Sequence, residues 1–262
     1  MRVGNEQPSP ADVLGVLAHE LTRGRVPHGQ ADAVARRSSR LAQPADQCTA
    51  VVPSVSVETL VFLVRHGITD WHAHRKVLGH RDIPLNDEGR RQAEAIADAL
   101  AAVPIADVVS SPLVRAVQTA EAIGRRCGIQ VARDPRLIDL RVGRWEGVSY
   151  DDVDASPEYQ RFLANPESET IPGGENLADV RTRAVGALEQ ALEDSPSGDG
   201  IVVVTHAGII RVLLTHYLGA PPSNYHRVRV APGSVSVLAF ADDRQPPRVL
   251  AVNWLGDLRA VL

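Results

Sequence analysis

Lysine is nearly absent from the sequence, since Lys76 is the only lysine in a total of 28 lysine and arginine residues. The formal net charge is −4, so the chain lacks the strongly basic field that drives nucleic-acid binding. We therefore expect no nucleic-acid partner. We interpret the replacement of lysine by arginine as a compositional bias rather than a functional feature.

Cysteine and long hydrophobic runs are also scarce. Cys48 and Cys127 lie in different regions and form no metal-ligand spacing. No apolar run approaches the roughly 18 residues that a membrane-spanning helix needs. Asp12, His19 and Glu20 interrupt the apolar stretch near the N-terminus, which is unlike a secretory signal. We therefore expect a cytoplasmic protein without a membrane partner.

Residues 1–57 differ from the rest of the chain because they hold too few large apolar side chains for an independent core. We expect an N-terminal extension that is partly helical or disordered. Across residues 58–262 apolar strand patterns alternate with helical patterns, which predicts one domain. This alternation is typical of an α/β fold, here a three-layer α/β/α sandwich with a mainly parallel sheet.

The predicted strands lie at 60–64, 106–109, 129–132, 201–205, 234–240 and 248–252. The predicted helices lie at 87–102, 113–127, 175–193 and 209–218. Asn86 is the expected N-cap of the first helix, and Ser111 followed by Pro112 is expected to begin the second. The polar segment 149–172 is expected to contain short helical pieces.

Polar side chains follow three of these strands at their carboxyl ends: His66, Ser110 and His206. Ligands of open α/β sheets bind in the crevice outside those strand ends, so the three segments should converge on one pocket. Arg65 adjoins the first histidine, and Arg115 opens the helix after the second strand. Planar guanidinium groups suit bidentate binding of phosphoryl oxygens.

With Asp139, the candidate side chains are two histidines, two arginines and one carboxylate, a set suited to phosphoryl transfer through a phosphohistidine. The histidines lie on different strands without an acidic cluster, and the arginines can supply the positive charge. No metal or other cofactor is therefore expected. A Gly-x-x-x-x-Gly-Lys-Ser/Thr loop is absent, which leaves P-loop nucleotide chemistry without support.

From Leu60 onward the chain resembles the histidine phosphatase superfamily, in its phosphoglycerate mutase-like branch. The segments that carry the resemblance are 63–71, 83–93, 110–116, 118–120, 143–147, 172–175 and 205–208. The resemblance implies that His66 is the nucleophile and that Arg65 and Arg115 clamp the phosphoryl oxygens. It also implies that His206, helped by the backbone N–H of Ala207, hydrogen-bonds the phosphoryl group.

Two positions depart from the pattern of the family. Asp139 stands where this branch usually has Glu, and we expect it to be the general acid and base; Glu146 is the alternative acid. His72 stands where the family commonly has Asn, and it is assigned either to the pocket rim or to a phosphate contact. Thr69 is a further phosphate-pocket candidate through its hydroxyl.

The interval from Asp139 to His206 is compact, whereas cofactor-dependent phosphoglycerate mutases carry a longer insertion there. We therefore predict a phosphomonoester hydrolase that acts on a small phosphorylated metabolite. One alternative is a phosphoglycerate mutase, and another is a non-catalytic phosphate-binding regulatory module. The segment 149–172 is expected to roof the pocket, and a homodimer is left open.

Overall fold

The computed structural model describes residues 58–195, 198–241 and 245–255, so the predicted extension at 1–57 lies outside the described residues. The strands are β1 (Thr59–Arg65), β2 (Ile105–Ser110), β3 (Val131–Arg133), β4 (Gly200–Thr205), β5 (Val235–Phe240) and β6 (Arg248–Trp254). The α-helices are α1 (Asp70–Ala73), α2 (Asp87–Leu100), α3 (Val114–Cys127), α4 (Tyr150–Asp154), α5 (Pro157–Ala164), α6 (Leu177–Asp194) and α7 (Ala207–Tyr217). None of these helices combines the length and the apolar character that crossing a membrane requires.

The six strands form one mixed sheet in the order β3-β2-β4-β1-β5-β6. The first four strands of this order pair in parallel, whereas β5 pairs antiparallel with both β1 and β6. The predicted α/β class is therefore confirmed, with an antiparallel edge added to the parallel part. Because β2, β4 and β1 are parallel neighbours, their carboxyl ends meet at one edge of the sheet.

The side chains of β1 alternate between two hydrophobic cores, one on each face of the sheet. Val61 and Leu63 belong to the core beneath α6 and α7, and Phe62 and Val64 belong to the core beneath α2 and α3. All four side chains are fully buried. This burial on both faces gives the predicted three layers and explains why the strand is a continuous apolar run.

The two predicted helix caps had different outcomes. Asn86 caps α2 as expected, because its Oδ1 accepts a hydrogen bond of 2.9 Å from the Gly89 backbone N–H. Ser111 does not cap α3, and that prediction was wrong. The helix begins at Val114, whose N–H donates to the carboxylate of Asp82 from a distant loop, at 2.6 Å.

Two glycines let the loop after β1 pack against the start of α2. A Cβ built on Gly89 would lie only 2.1 Å from the carbonyl oxygen of Ile68, and one on Gly67 would lie 2.4 Å from the carbonyl oxygen of Gly89. Both obstacles are backbone atoms, which cannot rotate away. This close approach supports the turn that holds His66 at the sheet edge.

We expect Gly89→Ala to lower the free energy of unfolding by about 1–3 kcal/mol, because the added methyl group overpacks a rigid contact. Gly186→Ala in α6 is the matched control. Its added Cβ would meet only the end of the Arg136 side chain, at 4.0 Å. This control should raise the free energy of unfolding by about 0.5–1 kcal/mol, since alanine favours helix. Urea unfolding measures the change in the free energy of unfolding for each variant. Changes of the same sign in the two variants would contradict the prediction.

Candidate active site

His66 lies directly after β1 and is 2% exposed. Its Nδ1 lies 2.7 Å from the carbonyl oxygen of Gly67, which can only accept, so Nδ1 carries the ring proton. The opposite nitrogen, Nε2, accepts a hydrogen bond of 3.2 Å from Nε of Arg115. Burial, followed by the charge of Arg115, holds the pKa of His66 well below its usual value. The ring is therefore a neutral imidazole with an unprotonated Nε2.

Arg115 is fully buried in the first turn of α3. Its terminal nitrogens donate to the carbonyl oxygens of Arg81 and Gly79, at 2.7 and 2.8 Å. One of them also lies 3.2 Å from the carboxylate of Asp139. Burial lowers the pKa of Arg115, and the carboxylate opposes that shift. The backbone of the 79–81 loop thus fixes the guanidinium beside the His66 ring.

Arg65 is the last residue of β1, and one nitrogen of its guanidinium has no partner in the part of the chain that the structure describes. Nη1 donates to the carbonyl oxygen of Val230 at 2.6 Å, and Nη2 contacts His72 Nε2 at 2.7 Å. Nε is buried and unpaired. Burial lowers the pKa of Arg65 to about 10, so it still carries its charge at neutral pH. A buried donor of this kind indicates an anion site.

His206 precedes α7 and is fully buried. Its Nε2 lies 2.7 Å from Oγ of Ser111, and that oxygen also accepts a long hydrogen bond of 3.4 Å from the Leu113 N–H. The Ser111 hydroxyl can donate to Nε2, and in that tautomer the ring proton lies on Nδ1. Nδ1 is buried and has no hydrogen-bond partner among the described residues, and Ala207 follows His206 at the helix N-terminus. Both N–H groups can serve a phosphoryl oxygen.

Asp139 lies beside Arg115 and His206. Its Oδ2 is 3.6 Å from His206 Nδ1, and its Oδ1 accepts a hydrogen bond of 2.9 Å from the Leu140 N–H. Burial raises the pKa of Asp139 despite the opposing charge of Arg115. A carboxyl group with a raised pKa can hold a proton for a leaving group and later accept one from water.

The main chain at Asp139 is held by two side chains that the sequence analysis did not assign to the site. His80 Nε2 lies 2.8 Å from the Asp139 carbonyl oxygen, and Arg183 donates to the same oxygen at 3.0 Å. Glu146, the alternative acid, accepts from the His80 N–H at 3.0 Å and pairs with Arg81 at 3.1 Å. These contacts tie Glu146 to the loop that holds Arg115.

Thr69 and His72 contact each other beside the site. Thr69 is fully buried, and its Oγ1 lies 2.9 Å from His72 Nδ1. The rings of His72 and His66 are 5.5 Å apart, and those of His206 and His66 are 5.1 Å apart. The structure therefore brings together the site residues that the sequence singled out, with the His72 and His206 rings each close to that of His66.

Residues 61–254 match the profile of the histidine phosphatase superfamily (branch 1). The chain belongs to this superfamily. It is therefore a phosphatase-type enzyme, with an activity of the phosphatase or mutase kind.

Curated relatives and solved structures agree with this membership. The chain is 36% identical to a probable phosphoglycerate mutase GpmB of Yersinia enterocolitica, over 74% of this chain and 89% of that protein. It is 40% identical to phosphoglycerate mutase-like protein 4 of Arabidopsis thaliana, over 70% and 80%. Its fold is similar to that of a mycobacterial glucosyl-3-phosphoglycerate phosphatase in complex with VO3. In that comparison the TM-score is 0.69 at 28% identity, covering 75% of this chain and 100% of that one.

A cavity of about 140 Å³ extends this histidine phosphatase site away from His66. Its wall is mainly apolar and aromatic, and it includes Trp145, Tyr150, Val153, Tyr159, Phe162, Ile171 and Tyr225. The segment 149–172 therefore lines the pocket, with α4 and α5 as its helical pieces. Phe162 is buried against Trp145 and Tyr225, as expected for a packing residue.

Arg211 is a wall residue of this cavity that the sequence analysis missed. Its Nε donates to the carbonyl oxygen of Val228 at 2.8 Å, and its terminal nitrogens have no partner among the described residues. The sequence clue that could have identified Arg211 is its position one helical turn after Ala207, which places both residues on one face of α7. Asp154 also lines the cavity, so its wall carries both signs of charge.

Proposed function

We propose that the protein is a phosphomonoester hydrolase that works through a phosphohistidine on His66 and needs no metal ion. The observation that carries the proposal is the state of His66: a neutral, buried ring that lines the cavity and whose unprotonated Nε2 faces Arg115. A neutral imidazole nitrogen is a competent nucleophile towards phosphorus. The arginines supply the charge that a phosphoryl group needs in a site with little water.

In the first step Nε2 of His66 attacks phosphorus, and the ester oxygen leaves with a proton from Asp139. The raised pKa of Asp139 supports this role, because it favours the protonated carboxyl group. The Nδ1–H bond to Gly67 keeps the ring oriented while the N–P bond forms. Arg65, Arg115 and His206 Nδ1 stabilise the three equatorial oxygens.

In the second step Asp139, now a carboxylate, removes a proton from water as the water oxygen attacks phosphorus. The N–P bond breaks, inorganic phosphate leaves, and His66 returns to its neutral state. His80 and Arg183 hold the Asp139 main chain through both steps, because both contact its carbonyl oxygen. The same carboxyl group therefore acts as acid and then as base.

A phosphoglycerate mutase is the alternative, because the named relatives include probable phosphoglycerate mutases. Hydrolysis is favoured by the compact interval between Asp139 and His206, which holds α4, α5, α6 and β4 and no further domain. A mutase must keep its phosphohistidine from water until the product accepts the phosphoryl group. The two activities are separated by incubating the enzyme with 3-phosphoglycerate and 2,3-bisphosphoglycerate and measuring free phosphate and 2-phosphoglycerate.

The substrate that fits is a small phosphate ester whose organic part carries a carboxylate. Arg211 supports this choice, because it supplies a cation in the cavity wall whose terminal nitrogens have no partner among the described residues. Phosphoglycerate, in the names of the relatives, has such a carboxylate next to its phosphate. The aromatic wall would shield this ion pair from water and so strengthen it.

A phosphate-release screen tests the function and the substrate class together. It compares phosphoglycerates and phosphoserine with sugar phosphates, nucleotides and phosphopeptides. We expect the highest kcat/KM for the small carboxylated esters, and at least about tenfold less for the same ester as its neutral amide. Absence of phosphate release from every ester, including p-nitrophenyl phosphate, would refute the hydrolase proposal.

A further inference from the structure

His72 lies in α1, between the phosphate pocket and solvent, and its two ring nitrogens contact two residues of that pocket. We propose that His72 is a positioning residue that fixes the guanidinium of Arg65 for phosphate binding without contacting the phosphoryl group itself. The inference rests on the proposed function, because that function assigns Arg65 to the phosphoryl oxygens. It replaces the phosphate contact considered for His72 with an indirect role.

The tautomer of His72 follows from the chemistry of its neighbours. Its Nε2 lies 2.7 Å from Nη2 of Arg65, and an arginine has only donors. Nδ1 lies 2.9 Å from Oγ1 of Thr69 and also 3.1 Å from the Thr69 backbone N–H, which is a second donor. A neutral ring has one lone pair for these two donors, the guanidinium and the backbone N–H. We assign the lone pair to the shorter contact with the charged guanidinium, which places the ring proton on Nδ1, where it faces the Thr69 hydroxyl.

The contact completes the fixation of Arg65. The carbonyl oxygen of Val230 holds Nη1 at 2.6 Å, and His72 holds Nη2, so the guanidinium plane has two anchors on different segments of the chain. Nε is then the guanidinium nitrogen that is buried without a partner among the described residues. Because the guanidinium plane is fixed, the Nε donor is already oriented before an anion binds. A preorganised donor binds an anion more tightly than a mobile side chain of equal charge does.

The charge state of His72 agrees with this role. Burial, followed by the charges of Arg65 and Arg115, lowers the pKa of His72 to about 3. A protonated ring would turn a donor towards the Arg65 guanidinium, so the neutral ring is the form that can hold it. The His72 contact therefore persists throughout the pH range in which the enzyme can be assayed.

Glutamine and asparagine substitutions at position 72 distinguish the contributions of the two ring nitrogens. A glutamine oxygen can reach the position of His72 Nε2 and accept from Arg65, whereas an asparagine reaches only the position of Nδ1. We expect His72→Gln to bind inorganic phosphate within about threefold of the wild type. His72→Asn and His72→Leu should each weaken phosphate binding by about tenfold or more, the loss of one hydrogen bond to a charged group. Isothermal titration calorimetry with phosphate gives these affinities without requiring turnover.

A double-mutant cycle then tests whether His72 acts through Arg65. In an Arg65→Lys background, His72→Leu should cost less than about threefold in phosphate affinity, because the guanidinium it positions is gone. His74→Leu is the matched control, since His74 is the exposed C-cap residue of the same short helix and its replacement should leave affinity unchanged.

Several results would overturn the proposal. Wild-type affinity in His72→Asn with a loss in His72→Gln would indicate a direct contact through the Nδ1 side. Equal losses in all three variants, or a full additional loss in the Arg65→Lys background, would assign His72 a merely structural role. Because the titration does not depend on catalysis, an enzyme that hydrolyses no ester would refute the proposed function and leave this test intact.

Discussion

His66→Ala should abolish turnover, with kcat for p-nitrophenyl phosphate lowered by at least about 10³-fold. The reason is that, of the three histidines in the site, His66 is the one that lines the cavity, whereas His206 Nε2 faces Ser111 and His72 Nε2 faces Arg65. Without the nucleophile the ester can still bind, so KM should change much less than kcat. His226→Ala, an exposed histidine outside the cavity, should behave as the wild type.

The intermediate provides a second measurement of the same prediction. Rapid quenching with a ³²P-labelled ester should label the wild-type chain on His66, in a bond that is stable to base and cleaved by acid. The label should be absent from His66→Ala. Labelling of another residue, or turnover of His66→Ala at wild-type rates, would rule out the phosphohistidine on His66.

The pH dependence of the labelling follows from the electrostatics of His66. Its pKa lies well below the ordinary value of 6.5, because burial and the neighbouring cations oppose protonation. The neutral, nucleophilic form is lost only as the pH falls below that lowered pKa. We therefore expect labelling to keep its neutral-pH rate as the pH falls through 6.5, where an ordinary histidine becomes protonated.

The positions of the principal site residues could be predicted because they depend on the sheet alone. Alternating strands and helices imply parallel neighbours, and parallel strands place His66, Ser110 and His206 at one edge. The antiparallel β5 was not recognised, although the connection between β5 and β6 is too short for a crossover helix. The short connection between β5 and β6 could therefore have predicted that the sheet is mixed.

The contacts that refine the site could not be predicted, because they join side chains that are distant in the sequence. Ser111 followed by Pro112 is a sound local signal for a helix start, yet Asp82 provides the cap of α3 from 32 residues away. The hydroxyl of Ser111 instead serves His206. A local rule fails here because a tertiary contact uses the same group, which is common at functional sites.

The loss of activity in Asp139→Asn should depend on the leaving group of the substrate. For an alkyl phosphate the departing alkoxide needs a proton, so kcat/KM should fall by about 10²–10⁴-fold, the usual contribution of a general acid. For p-nitrophenyl phosphate the leaving group needs no proton, and kcat/KM should fall much less. Asp139→Glu keeps the carboxyl group and should retain most of the activity towards both esters. Steady-state kinetics with the two esters measures the ratio, and equal losses in Asp139→Asn would contradict the role of Asp139 as the acid.

The second step makes the same variant accumulate its intermediate. With p-nitrophenyl phosphate the first step remains fast in Asp139→Asn, but water loses the carboxylate that deprotonates it, so a burst of nitrophenolate and a persistent label on His66 are expected. The wild type should lose activity towards alkyl phosphates as the pH rises through the raised pKa of Asp139, because the acid form disappears. That limb of the pH profile should be absent from Asp139→Asn. Three results in Asp139→Asn are expected together: a burst with p-nitrophenyl phosphate, no burst with an alkyl phosphate, and no alkaline limb in the pH profile. This combination requires that one carboxyl group serves both steps. Asp139 is the residue whose burial and position allow it.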